Sequence, residues 1–256
     1  MKNEIRAITF DLWDTIVVDD SDEPKRRQRG LRSKRDERRQ LLWEALNRQA
    51  PIAEEAVQLA YNVGDAAFNT VWHDQHVTWP IRTRLEVILA GLGRTLPDAD
   101  LEAVVAAHER MEIDIPPDLI PGCVDAIEAL ANRFKLAIVS DAIVTSGRGL
   151  RELLAVHGVA KCFGGFAFSD EVGHSKPHRD MFAAAADQLG VRIDQMIHIG
   201  DRDHNDIQGP QRLGMKAILF TASRSVDRDG TTADAICASY ADLSGMIDRL
   251  AVEEAG

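Results

Sequence analysis

From about residue 119 onward, short apolar runs alternate with stretches of helical periodicity, and one further strand-like run stands alone near the start. Apart from Gly165 and His198, the runs 136–139, 165–168, 196–199 and 217–220 are built from Ile, Leu, Val, Phe, Ala and Met, and a weaker one lies at 235–237. Helical patterns at 124–132, 149–157, 181–189, 206–213 and 242–251 fall between and after them. Runs that short and that uniformly apolar predict strands buried on both faces. Their alternation with helices predicts βαβ units in a parallel sheet, with helices packed on each side. The isolated run Ile5-Arg6-Ala7-Ile8-Thr9-Phe10 supplies one more strand and stops abruptly at Asp11. Between it and the alternating region, residues 31–113 carry helical periods at 41–47, 54–68, 83–92 and 100–111, with few strand-like runs. Pro116, Pro117 and Pro121-Gly122 then break the chain. The pattern predicts a doubly wound α/β core from residues 1–17 and 119–256, with an all-helical cap, 18–118, inserted after the first strand.

Composition narrows the function classes. With 256 residues, 45% of them hydrophobic, the chain can bury a substantial core. Asp and Glu outnumber Lys and Arg by 41 to 30, giving −11, so a nucleic-acid partner is not expected. No apolar run approaches the ~18 residues that span a bilayer, so no membrane partner is expected either. Met1-Lys2-Asn3-Glu4-Ile5 lacks the apolar stretch of a secretory signal, and Cys123, Cys162 and Cys237 form no CxxC pair. Both point to a reduced, cytoplasmic setting. The basic run 25–39 precedes Leu41, Leu42, Ala45 and Leu46 at helical spacing. It reads first as the solvated start of an amphipathic helix, and second as a source of one or two arginines facing an anionic substrate.

In open parallel sheets ligands bind at the carboxyl ends of the strands. Here those ends carry Asp11, Ser140-Asp141 and Gly200-Asp201, and Ser175-Lys176-Pro177 lies in the loop between the last two. The topology therefore draws carboxylates, a hydroxyl and an ammonium to one rim.

The order and spacing of these groups resemble the haloacid dehalogenase (HAD) superfamily of hydrolases. Phe10-Asp11-Leu12-Trp13-Asp14-Thr15-Ile16 is similar to its first motif, and Ile138-Val139-Ser140-Asp141-Ala142 to its second. Glu171-Val172-Gly173-His174-Ser175-Lys176-Pro177 resembles the third, and the segment from Ile199-Gly200-Asp201 to Asn205-Asp206 the fourth. The resemblance implies a Rossmann-like core with a helical C1-type cap, and a Mg²⁺-dependent phosphohydrolase acting on a small anionic, phosphorylated substrate. Asp11 would be the nucleophile that forms an aspartyl intermediate. Asp11, the Trp13 main-chain carbonyl and Asp201 would be metal ligands, with Asp206 a further ligand or an orienter. Lys176 would offset repulsion at Asp11 and bind a phosphoryl oxygen, and Ser140 would hydrogen-bond another. The cap would set specificity. The oligomeric state is open.

One position departs from the pattern. Most phosphatases of this superfamily carry a second aspartate two residues after the nucleophile, which protonates the leaving group. Here that residue is Trp13, and general acid–base groups contribute about 10²–10⁴-fold. Three readings follow: phosphoryl chemistry on leaving groups that need little protonation or on which the cap helps; a 2-haloacid dehalogenase-type reaction with an ester at Asp11; or a non-catalytic homologue binding a phospho-ligand or a protein. The first is favoured, because Asp201, Asp206 and Lys176 together make little sense without a metal and an anion. Asp14 is expected to point elsewhere, and His73 and His76 to be partly solvated cap residues. Asp141 is expected to cap a helix or to tune the site, His198 to be core, and Arg202, Asp203, His174 and His178 to be solvated.

Overall fold

The computed structural model describes residues 4–253 of the chain. Six strands form one parallel sheet: β1 (Ala7–Phe10), β2 (Lys135–Ser140), β3 (Gly165–Phe168), β4 (Met196–Gly200), β5 (Lys216–Phe220) and β6 (Ala235–Cys237), in the order β3-β2-β1-β4-β5-β6. The order reverses direction at β1, so the first strand lies centrally between β2 and β4, with Phe10 in register with both Ile138 and Ile199.

Period-two alternation sorts the side chains of these strands. Ile8 and Phe10, Leu136 and Ile138, and Ile197 and Ile199 form one apolar face together with Ile127, Leu153 and Ile247. These partners lie on α7 (Cys123–Ala131), α8 (Gly147–Val156) and α12 (Tyr240–Glu253). The opposite face carries the smaller Ala7, Ala137 and Val139, and against it α10 (Arg179–Leu189) sets Phe182, Ala185, Ala186 and Leu189. This is why the strands look apolar throughout in the sequence.

Between β1 and β2 the chain is helical: α1 (Asp22–Gln28), α2 (Lys34–Gln49), α3 (Glu54–Gln75), α4 (Ile81–Gly91), α5 (Asp98–Glu109) and the single turn α6 (Met111–Asp114). Leu42, Leu46, Val57, Tyr61, Leu85 and Val104, spaced for one face of each helix, make a separate apolar cluster. Helices α3 and α4 approach closely at Gly64, where a Cβ would come within 2.7 Å of Ile88 Cγ1. The two remaining short helices are α9 (Ser169–Val172) and α11 (Gly209–Arg212). Among the described residues, no helix is long and apolar enough to cross a membrane.

Two features of the helical stretch differ from the sequence expectation. The basic run is not simply solvated: Lys34 is buried, its ammonium held 2.8 Å from Asp22 and 3.0 Å from Glu112. Helix α3 also runs on past Phe68 to Gln75, because Trp72, one turn later, stacks on Phe68 with ring centroids 6.1 Å apart.

The helical cluster contains a titratable group with a consequence for stability. His108 is fully buried, its Nδ1–H donating to the Val104 carbonyl at 2.7 Å while Nε2 accepts from the Tyr61 hydroxyl at 2.6 Å. Burial pushes its pKa down to about 4. Below pH 6.5 the unfolded chain takes up a proton that the folded chain refuses, so stability falls as pH drops from 6.5 towards about 4. At about 1.4 kcal/mol per pKa unit the full loss is about 3 kcal/mol. Urea unfolding followed at pH 7 and at pH 4.5 should show this loss in the wild type and a smaller one in His108→Gln.

Candidate active site

The site forms where β1, β2 and β4 end. Asp11 directly follows β1, its amide donating to the Ile199 carbonyl at 2.9 Å, and Ser140 ends β2. Asp201 directly follows β4, and Lys176 reaches in from the loop between α9 and α10. Asp11, Ser140, Lys176, Asp201 and Asp206 are all buried.

Asp206 arrives by a local distortion. The sequence suggests one helix over 206–213, but residues Asp203–Gln208 form a wide π-helical turn that passes into α11 at Gly209. The turn folds the Asp206 carboxylate back over Gly200, where any Cβ would lie 2.4 Å from Asp206 Cγ. Glycine before Asp201 is thus a steric requirement of the acidic pair.

Lys176 joins the carboxylates. Its Nζ donates to Asp11 Oδ1 at 2.5 Å and to Asp206 Oδ1 at 2.7 Å. Asp206 also accepts from the Arg202 amide at 3.0 Å, and His198 Nε2 lies 3.2 Å from its Oδ1. Burial alone would raise the pKa of Asp206, yet Lys176 and His198 more than offset it and hold the group well below the usual carboxylate range. Burial would likewise lower Lys176, but Asp11, Asp206 and Asp141 keep it firmly protonated.

The other two carboxylates are left short of positive charge. Burial raises Asp11, with Asp206 adding to the effect and Lys176 opposing it. Burial together with the charges of Asp11 and Asp206 pushes Asp201 up to about 8, although Arg224 donates to its Oδ2 at 3.3 Å. Carboxylate oxygens of Asp11, Asp201 and Asp206 lie within 4.8 Å of one another. Three buried acids around one ammonium, all hard oxygen donors, suit a divalent cation such as Mg²⁺, which would supply the missing charge.

A narrow pocket of about 40 Å³ opens onto this cluster, with Asp11, Lys176 and Asp206 in its wall beside Trp13, Trp72 and Asp141. Ser140 and Asp201 are not among the residues lining it. Ser140 Oγ has no hydrogen-bond partner among the described residues. The Trp13 ring, half-buried, forms part of the wall where an acid would be needed. Asp14 does not replace it. Its backbone is left-handed (φ 53°), and its Oδ1 accepts from the Ser223 hydroxyl at 2.6 Å.

Five residues of this region carry more than the sequence reading gave them. Asp141 is no helix cap: its Oδ1 accepts from the Lys176 amide at 3.0 Å and its Oδ2 from Trp72 Nε1 at 3.2 Å. Burial raises its pKa to about 6. Through that bond Trp72, on α3, ties the inserted helices to the site, as does Arg84, which donates to the Ile143 carbonyl at 3.1 Å. His198 is core, as its strand position suggests, but it also bridges Thr9 Oγ1, at 2.8 Å, to Asp206. Arg202, expected to be a plain surface residue, lines the pocket although its side chain is exposed. Only Asp141, next to Ser140 at a strand end, gave a local signal.

The comparisons with known proteins agree with this geometry. Residues 5–214 match the family described as haloacid dehalogenase-like hydrolase. A 5-amino-6-(5-phospho-D-ribitylamino)uracil phosphatase, YigB, of Escherichia coli is 28% identical over 227 residues, covering 83% of this chain and 82% of that one. A glyceraldehyde 3-phosphate phosphatase of Methanopyrus kandleri is 32% identical over 131 residues, 50% of this chain; the match spans 53% of that relative's length. Among solved structures, a 2-haloacid dehalogenase from Pseudomonas syringae superposes with a TM-score of 0.67 at 21% identity, over 96% of this chain and 99% of that one. At that identity the likeness concerns the fold alone. With the strand-end acids, the lysine and the family match over most of its length, the chain belongs to the haloacid dehalogenase-like hydrolases.

Proposed function

We propose that this protein is a Mg²⁺-dependent phosphohydrolase that acts on a small phosphorylated metabolite through an aspartyl phosphate at Asp11. The observation that carries the reading is the buried trio Asp11, Asp201 and Asp206, with Lys176 bonded to the first and last and Arg224 to Asp201. A halide-displacing enzyme needs a carboxylate nucleophile but gains nothing from two more buried acids, which cost free energy unless a cation balances them.

Asp11, Asp201, the Trp13 main-chain carbonyl and Asp206 would hold the ion. When bound, Mg²⁺ offsets the charge of the cluster and of the incoming phosphoryl group. The Asp11 carboxylate attacks phosphorus, forming an O–P bond as the bond to the leaving oxygen breaks. Water then attacks phosphorus, releasing phosphate and restoring the carboxylate. Lys176, fixed by Asp206 and by the Asp141 bond to its own amide, favours the ionised form of Asp11 against the effect of burial and faces the phosphoryl oxygens. Ser140 Oγ, buried and unbonded, is a further donor for them. Trp13 neither gives nor takes a proton, so substrates whose leaving group departs as a stable anion, such as acyl phosphates, are favoured. The inserted helices, residues 18–118, act as the cap, with the Trp72–Asp141 bond holding the site closed and its loss admitting substrate.

The test is an assay of acetyl phosphate, p-nitrophenyl phosphate, glycerol phosphate and L-2-chloropropionate, with Mg²⁺ and with EDTA, reading phosphate and chloride together. Phosphate release that EDTA abolishes is expected, fastest with acetyl phosphate. Chloride release indifferent to EDTA would replace this reading with the dehalogenase one.

A further inference from the structure

Lys176 stands between two histidines in the sequence, and the fold brings both of them to one carboxylate. His174 Nδ1 lies 3.4 Å from Asp180 Oδ2, and His178 Nδ1 lies 3.6 Å from the same oxygen. One ligand atom from each of the three residues falls within 4.8 Å of the others. The chemistry above uses none of them. The loop that closes α9 at Gly173 and opens α10 at its N-cap His178 makes this meeting, with Asp180 in the first turn of α10. It lays the His174 ring on that of His178, with centroids 3.8 Å apart and planes within 6° of parallel.

The plain alternative is a histidine–aspartate hydrogen bond, and the geometry does not support it. His174 Nδ1 is buried and makes no hydrogen bond among the described residues. The 3.6 Å separation at His178 is too long for one. His178 Nδ1 instead accepts a long bond, 3.3 Å, from the Asp180 amide. A buried ring nitrogen without a partner calls for an explanation, and a bound ion supplies one. The spacing fits: tetrahedral bonds of about 2.1 Å give ligand-to-ligand edges of about 3.4 Å. The rings must splay from their stack for both lone pairs to meet one ion. With their side chains 36% and 35% exposed there is room to do so, and an ion can arrive from solvent.

We propose that His174, His178 and Asp180 form a second cation site, selective for a borderline divalent ion such as Zn²⁺. Imidazole nitrogens suit Zn²⁺, Co²⁺ and Ni²⁺, whereas the all-carboxylate cluster at Asp11 suits Mg²⁺. Water completes the coordination. The ion ties together residues on both sides of Lys176 and so braces the loop that presents its ammonium to Asp11. The same loop meets the inserted helices, the Ser175 amide donating to the carbonyl of His76 at the end of α3, at 2.8 Å. The site stands independently of the phosphohydrolase reading.

The experiment titrates Co²⁺ into the protein held in excess Mg²⁺ and follows visible absorption, then adds Zn²⁺. One equivalent of Co²⁺, displaced by Zn²⁺, is expected. Loss of a group that merely supports a ligand weakens metal sites by about 10–100-fold, so loss of a ligand should cost about 100-fold or more. His174→Gln and Asp180→Asn should both show that loss. So should His178→Asn, which keeps an acceptor at the start of α10. Asp201→Asn, altered only in the acidic cluster, should bind Co²⁺ as the wild type does. Zn²⁺ should also raise the thermal unfolding midpoint of the wild type and leave that of His174→Gln unmoved. Absence of Co²⁺ binding overturns the proposal. Binding that excess Mg²⁺ suppresses, or that survives His174→Gln and Asp180→Asn, overturns it as well.

Discussion

Asp11→Asn should lower phosphate release by about 10⁴-fold or more while leaving the protein at least as stable as the wild type. The loss follows from the chemistry: an amide oxygen forms no stable bond to phosphorus, and no other carboxylate can take over. Asp206 is bound to Lys176 and close to His198, Asp141 accepts from the Lys176 amide and from Trp72, and Asp201 does not line the pocket. The retained stability follows from the electrostatics. Asp11 is a buried acid whose ionisation is opposed by burial and by Asp206, so a neutral amide of the same shape removes repulsion. Lys176 keeps a carboxylate partner in Asp206, so its charge is not orphaned. Activity and thermal unfolding measured on one preparation separate the two effects. A variant that loses activity together with its fold would not fit this account.

Trp13→Asp should act in the opposite direction. It restores a proton donor two residues after the nucleophile, and the expected gain is about 10²–10⁴-fold in kcat for alkyl phosphates such as glycerol phosphate. The gain for acetyl phosphate should be much smaller, because its leaving group needs no proton. The backbone is suited to present the new side chain. Trp13 pairs with Val17 in a bridge, the Asp14 amide donates to the Val17 carbonyl at 2.7 Å, and the indole already walls the pocket. The cost is packing: Trp13 lies against the main apolar cluster, and its removal should lower stability by about 1–3 kcal/mol. Kinetics on the two substrates, with the ratio of their kcat values as the readout, check the prediction. An unchanged ratio would mean that something other than the missing acid sets the preference.

The parallel sheet and the place of each acid at a strand end were legible because both rest on local patterns. Apolar runs such as 136–139 and 196–199 fix the strands, and an Asp or Ser directly after each run fixes the rim. What the sequence concealed depends on contacts between distant residues. The role of Trp72 follows from α3 continuing far enough to lay the ring against Asp141, 69 residues away. Asp206 was recognisable through the resemblance of its segment to the family's fourth motif, but its path was not, because a π-helical turn has no periodic signature of its own. The basic run is the clearest case. Lys25 to Arg39 looks uniform in sequence, yet the fold buries Lys34 against Asp22 and Glu112 and leaves Arg38 the longer approach to Glu112, at 3.9 Å. How each cation of the run is paired is decided by where Glu112 and Asp65 fall, and both lie on other helices.

The covalent phosphoenzyme is the central claim, and it can be observed directly. Wild-type protein is mixed with acetyl phosphate and Mg²⁺, quenched in acid within the first turnovers, digested and analysed by mass spectrometry. One phosphoryl group on the peptide containing Asp11, absent with EDTA and absent from Asp11→Asn, is the expected result. Phosphate released at the same rate with no label on that peptide at any quench time would contradict the account.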